Sequence, residues 1–199
     1  MIILGTSFVY ASIFMLFKKV CPKIRVYTSL INATLLTTYA LYQYLNHNTL
    51  QLQYNDTVLN DVITGFFVYD LTYGMVIDRE NFDTITGLVH HSLYIILLRY
   101  LSVNNISYLI YPFLPFEVPT LFMDIRKIYP TRPIDYLFGL TFFIFRIVYN
   151  FYLVGVFTQI SEVYSVIVTV MLAVHSFWFK TWVEKRFAIQ NNRIVFLIP

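Results

Sequence analysis

The sequence predicts an all-α fold, a polytopic bundle of about seven transmembrane helices of which six enclose a central cavity. Hydrophobic residues make up 58% of the chain and charged residues only 13%, and the mean hydropathy is +0.63. Soluble domains carry about 25% charged residues, so this chain has too few for a surface that faces water. Its apolar residues form segments close to the roughly 20 that cross a bilayer as a helix. Ionisable residues recur inside these segments, where they are energetically costly.

The hydrophobic segments set the predicted order of the helices within one domain, residues 1–199. They are 1–17, 26–45, 58–77, 87–103, 106–125, 134–157 and 161–183. The first lacks the basic start and cleavage site of a signal peptide, so we expect it to be an anchor. Residues 184–199 are expected to form a short cytosolic tail. The single cysteine, Cys21, excludes an internal disulfide and a CxxC motif.

The basic residues predict the orientation of the chain. Of the 14 lysines and arginines, all but Arg99 and Arg146 fall in loops that alternate along the chain or in the C-terminal end. The loops between them, 46–57, 104–105 and 158–160, contain none. The positive-inside rule then places the N-terminus in the lumen and the C-terminus in the cytosol. Because the basic residues cluster in membrane loops, the formal charge of +3 does not indicate nucleic-acid binding.

Ionisable residues in several predicted helices lie at similar depths. At 1.5 Å per residue, we place His90 and His91 about 5 Å from the cytosolic end of their span, Asp70 about 10 Å, Glu117 and His175 about 12 Å, and Arg146 about 18 Å. Such residues normally face the bundle interior or a water-filled cavity. We therefore expect one polar cavity near the cytosolic leaflet.

Local patterns also predict inward faces on the last three spans. Arg146, Tyr149 and Asn150 stand at i, i+3 and i+4, which places them on one side of a helix. His175 shares its face with Trp178 three residues later. Three prolines flank Glu117, at positions 112, 115 and 119, and each removes a backbone donor. Carbonyl groups are then free beside the carboxylate, and such backbone is tolerated at membrane depth only inside protein.

Structural roles for these residues remain open alternatives. Asp70 or Glu117 could pair with Arg146 only to hold helices together, and His175 could form a simple bond between helices. Consecutive residues on a helix point about 100° apart, so His90 and His91 cannot both serve one packing contact. That favours a functional role for at least one of them. A zinc ion held by a histidine of the pair, His175 and an acid is weakly signalled, and we predict no metal.

Several short motifs resemble those of the TLC domain family in order and spacing. They are Gly65–Asp70, the pair His90-His91, Phe116–Arg126, Phe142–Val148 and the aromatic final span around His175 and Trp178. The resemblance covers about residues 26–185. Ceramide synthases of this family carry an additional His-Asp pair, where this chain reads Ser102-Val103-Asn104-Asn105. The chain is therefore more similar to the small proteins that consist of a TLC domain alone.

The resemblance implies a multi-pass protein of the endoplasmic reticulum that binds or remodels membrane lipids, with an acyl chain in the central cavity. An acyl-CoA-dependent lipid acyltransferase is the first alternative, with acyl-CoA as a co-substrate and no other cofactor. A trafficking adaptor without enzyme activity is the second. For an enzyme, the expected catalytic residues are His90, His91 and Asp70. The expected lipid-binding residues are Glu117, Arg146, Tyr149, Asn150, His175 and Trp178.

Overall fold

The computed structural model describes residues 12, 24–46, 57–79, 82, 84–187, 189–190 and 193–194. They form six α-helices, one 3₁₀ helix and one antiparallel pair of two-residue strands, Ile189–Gln190 with Arg193–Ile194. The helices are α1 (Ile24–Asn46), α2 (Thr57–Val76), α3 (Thr84–Val103), α4 (Glu117–Ile128), α5 (Arg132–Phe157) and α6 (Glu162–Arg186). The predicted all-α class is confirmed for the part of the chain described. The segment predicted at 1–17 lies almost wholly outside it.

The segment predicted as one helix at 106–125 is divided into two parts. Ser107–Phe116 is a 3₁₀ helix, called here the 3₁₀ segment, and α4 continues directly from it. Pro112 and Pro115 lie inside the 3₁₀ segment and cannot donate backbone hydrogen bonds, which disfavours a regular α-helix. Pro119 falls in the first turn of α4, where backbone N–H groups have no partner inside the helix.

The helices pack in succession beside the 3₁₀ segment. α1 packs on α4, α4 on α5, α5 on α6, α6 on α3, and α3 on α2. The 3₁₀ segment contacts α1, α2 and α3. Its Phe113 ring stacks on Phe157, which in turn stacks on Tyr164, with ring centroids 5.5 Å and 5.3 Å apart. This aromatic core fills one end of the bundle.

Two of the helices meet the length and apolarity needed to cross a membrane, α5 and α6. Gly87–Val103 is a shorter apolar helix. Large apolar side chains such as Val166, Val170 and Phe177 point outward from α6. An outward apolar surface of this kind suits contact with lipid.

Opposite the aromatic core, five cations gather where α1 begins and where α4 and α6 end. We call this the basic end, and its members are Arg25, Arg126, Lys127, Lys185 and Arg186.

Candidate functional site

A cavity of about 730 Å³ extends from the basic end into the bundle. Six of the residues predicted as site residues line it: Asp70, His90, His91, Glu117, Arg146 and Trp178. The other three, Tyr149, Asn150 and His175, are not part of its lining. Tyr149 instead packs edge-on against Phe116, with ring centroids 6.0 Å apart.

Asp70 on α2 is bound by a side chain of α1. Arg25 donates from Nε to one carboxylate oxygen at 2.8 Å and from Nη2 to the other at 3.0 Å. Two parallel bonds of this kind form the strongest arginine–carboxylate geometry. The Asp70 side chain is only 12% exposed, and the Arg25 guanidinium compensates for the burial of its negative charge.

Sequence reasoning missed Arg25, because it falls in the loop predicted between the first two hydrophobic segments. Its Nη1 also donates to Asp78 at 3.1 Å, and its guanidinium lies 5.6 Å from the Tyr73 ring centroid and 5.5 Å from that of Phe82. Burial alone would lower the pKa of Arg25, but the hydrogen bonds and charges of the two aspartates outweigh burial and raise it. One feature of the sequence could have identified it. Arg25 directly precedes the apolar run of α1, and because α1 and α2 are predicted to cross the membrane in opposite directions, the start of α1 lies on the same side as the end of α2.

His91 is the second neighbour of Asp70. Its Nε2 lies 3.5 Å from the second carboxylate oxygen, at the outer limit of a hydrogen bond. Its Nδ1 is buried without a hydrogen-bond partner among the described residues. An Asp–His pair with one ring nitrogen unused has the composition of a general base and its orienting acid.

His90 points away from Asp70 into a group of rings. Its centroid lies 4.7 Å from Tyr94, 4.9 Å from Trp178 and 5.5 Å from His175. The two adjacent histidines thus serve different neighbours, as their 100° separation on the helix predicts.

His175 lies behind His90 and is fully buried. Its Nδ1 is 3.2 Å from the amide nitrogen of Asn150, which has only donors to offer. Nδ1 therefore accepts, and the proton of a neutral His175 ring sits on Nε2. The contact joins α5 to α6, as the structural alternative for His175 expected.

Arg146 forms no ion pair within 4 Å with any described carboxylate, which corrects the expected pairing with Asp70 or Glu117. It donates from Nε to the Phe116 carbonyl at 3.1 Å and from Nη2 to the Thr120 hydroxyl at 2.7 Å. One physical reason is that Arg25 already occupies Asp70 with two hydrogen bonds. Arg146 itself lies in a π-helical turn of α5, Phe143–Val148, called here the π turn. Such turns often occur at functional sites.

Glu117 is the first residue of α4 and is 9% exposed. Its side chain forms part of the cavity wall.

The zinc alternative needs three converging ligands. Among the described residues, no group of three or more histidine, cysteine, aspartate or glutamate side chains comes together in that way.

Comparison with known proteins shows the family. A family model for the TLC domain matches residues 3–184, which is most of the chain. No curated protein and no solved structure matches it. Members of this family are generally membrane proteins tied to lipid metabolism, and the apolar helices α5 and α6 agree with that class. The chain therefore belongs to the TLC domain family and is an integral membrane protein.

Proposed function

We propose that this protein binds the acyl chain of a membrane lipid in the cavity and acts in lipid homeostasis. The observation that carries the proposal is the cavity itself. Its volume of about 730 Å³ falls in the range of ligand sites, about 300–1,000 Å³. It also combines apolar walls with a few polar groups, which is the usual composition of such sites.

The two kinds of wall suit the two parts of a lipid. Rings of Phe66, Phe142 and Phe179 and the flexible side chain of Met123 offer apolar surface for an acyl chain. Asp70, with Arg25 and His91 beside it, offers hydrogen bonds to a head group or to a reacting group.

We further propose that the protein resides in the endoplasmic reticulum with its basic end toward the cytosol. The distribution of lysine and arginine between alternate loops supports this orientation.

A photoreactive lipid tests the proposal. A phospholipid with a diazirine on its acyl chain, reconstituted with the protein in nanodiscs, is expected to crosslink to cavity residues found by mass spectrometry. Met123→Trp fills the cavity and should abolish these crosslinks. Met75→Trp is the matched control, because Met75 on α2 is exposed and does not line the cavity. Equal crosslinking of cavity residues in both variants would overturn the proposal.

The pair of Asp70 and His91 favours a second candidate, an acyl-CoA-dependent acyltransferase. With Nε2–H directed to Asp70, the Nδ1 of His91 would take the proton from an attacking amine or hydroxyl. That group forms the new acyl bond as the thioester bond breaks and coenzyme A leaves as the thiol. Arg146 would stabilise the charge that develops on the carbonyl oxygen.

Lipid profiling separates the candidates. Cells that make the wild-type protein are compared with cells that make a His90→Ala/His91→Ala double mutant at equal abundance. Loss of one acylated product in the mutant supports the acyltransferase. If both cell lines differ from untransfected cells in lipid composition, and differ in the same way, the result supports lipid binding without acyl transfer. If neither cell line differs from untransfected cells in lipid composition, the result favours a trafficking adaptor.

A further inference from the structure

Two arginines share a single carboxylate at the basic end. Asp135, in the first turn of α5, accepts from Nη1 of Arg126 at 2.7 Å. Arg186 places Nε 2.6 Å from the second oxygen and Nη2 3.1 Å from the first. The arginines come from the ends of α4 and α6, so three helices meet at this point.

Aromatic side chains contact both Arg126 and the shared carboxylate. Arg126 lies 4.6 Å from the Phe138 ring centroid. The indole N–H of Trp182 is 3.4 Å from the Asp135 oxygen that both arginines use. The Arg126 guanidinium is held by both Asp135 and Phe138 and therefore loses little further freedom when a ligand binds.

One carboxylate cannot neutralise this cluster. Two guanidinium groups and one carboxylate leave an excess of one positive charge, and Lys185 adjoins Arg186 without an ion pair to any described residue. A guanidinium has five N–H donors, and Asp135 accepts one from Arg126 and faces two of Arg186. The remaining donors belong to side chains that line the cavity and are about one quarter exposed.

We propose that Arg126, Arg186 and Lys185 form a binding subsite for the phosphate group of the ligand that enters the cavity. The proposal rests on the proposed function, because it places the charged end of a lipid at this subsite while the acyl chain of the same lipid lies deeper in the cavity. Guanidinium forks match the oxygens of a phosphate, and a lysine adds a point charge. A phosphate monoester, with its charge of about −1.5 to −2 at neutral pH, suits the excess positive charge best.

Two sources could supply this chemistry, the head group of phosphatidic acid or the phosphates of a soluble molecule such as coenzyme A. The titration uses the full chain in detergent with water-soluble dihexanoyl phosphatidic acid, dihexanoyl glycerol, coenzyme A and inorganic phosphate as probes. Fluorescence reports binding, because both tryptophans of the chain, Trp178 and Trp182, line the cavity. We expect dihexanoyl phosphatidic acid to bind at least tenfold more tightly than dihexanoyl glycerol, which lacks the phosphate.

Charge variants of α6 isolate the subsite. Arg186→Gln should weaken binding of the phosphate probe about tenfold, the effect of losing a charge-assisted hydrogen bond. Arg186→Lys should restore part of the affinity, because lysine carries the positive charge but lacks the paired N–H donors of a guanidinium group. Lys180→Gln is the matched control, since Lys180 lies on the same helix, pairs with Glu184 at 3.7 Å and does not line the cavity. It should leave the affinity unchanged.

The outcomes distinguish the sources and the proposals. If Arg186→Gln lowers the affinity for dihexanoyl phosphatidic acid tenfold and leaves the other probes unchanged, the subsite binds a lipid head group. If it lowers the affinity for coenzyme A and inorganic phosphate tenfold as well, the subsite binds a soluble phosphate. Equal affinity for the two dihexanoyl lipids, together with no effect of Arg186→Gln on coenzyme A or inorganic phosphate, overturns the subsite but leaves acyl-chain binding in place. Equal effects of Arg186→Gln and Lys180→Gln also overturn it. Failure of the proposed function is recognised separately, when neither dihexanoyl lipid binds.

Discussion

Arg25 connects α1 to the polar site through three hydrogen bonds to two aspartates of the α2 region. Replacing Arg25 with Met would leave the buried Asp70 carboxylate without its charge partner. We expect a loss of about 3–5 kcal/mol in the free energy of unfolding, the range for breaking one side of a buried ion pair. The Arg25→Met/Asp70→Asn double mutant should lose less than the sum of the single mutants. Melting in detergent measures all three.

Arg79 provides the control for that series, because it is exposed and forms no ion pair with the described residues. Arg79→Met should melt like the wild type. Additive losses in the Arg25 and Asp70 variants would contradict the bidentate contact.

Arg146 offers a second prediction at this scale. Because it bonds the hydroxyl of Thr120, the variants Arg146→Met and Thr120→Val should couple by about 0.5–3 kcal/mol in a double-mutant cycle of detergent melts. Arg146→Met and Asp70→Asn should add within about 0.5 kcal/mol, since no contact joins the two side chains. Coupling between Arg146 and Asp70 larger than that between Arg146 and Thr120 would contradict the arrangement.

The sequence predicted which polar residues are buried better than it predicted their partners. Hydropathy identifies Asp70 and Arg146 as charges inside apolar segments. Pairing depends on how six helices rotate about their own axes, and hydropathy does not determine these rotations. Arg25 can pair with Asp70 because α1 begins beside the last turns of α2, and Arg146 bonds a backbone carbonyl and a hydroxyl instead.

Among the helices, α5 and α6 approach closely because of one glycine. A Cβ at Gly139 would collide with the Trp182 ring, whereas a Cβ at Gly155 of the same helix would meet nothing within 4 Å. Gly139→Ala should therefore destabilise the protein by about 1–3 kcal/mol, the usual effect of overpacking. Gly155→Ala should be neutral or stabilise it by up to about 1 kcal/mol, because alanine favours the helix. Melting temperatures of the two variants check this, and equal shifts would contradict the close approach.

The bounds of most helices were predictable, but the character of the 3₁₀ segment was not. Apolar runs of about 20 residues mark the helices at 26–45, 58–77 and 161–183, and the structure places helices there. The run 106–125 is equally apolar, yet its prolines forbid the regular hydrogen-bond pattern. Periodicity indicates that such a run is buried, and the choice between a bent α-helix and a 3₁₀ helix depends on the surrounding packing.

For the whole molecule, the charge distribution predicts the orientation in the membrane. In sealed microsomes, a tag at the N-terminus should resist added protease and a tag at the C-terminus should be digested. After detergent is added, both tags should be digested, which controls for accessibility. Protection or digestion of both tags together would contradict an odd number of membrane spans.

The π turn of α5 sets the angular phase between the two parts of this helix. A π turn bonds residue i to i+5, so it holds one more residue than the α-helical turn it replaces. If the same residues were α-helical throughout, the additional residue would rotate the two parts of α5 by about 100° relative to each other. With Asn150 fixed on His175, Asp135 would then swing away from Arg126 and Arg186. The single additional residue thus allows one continuous helix to face the histidines with one part and the basic end with the other.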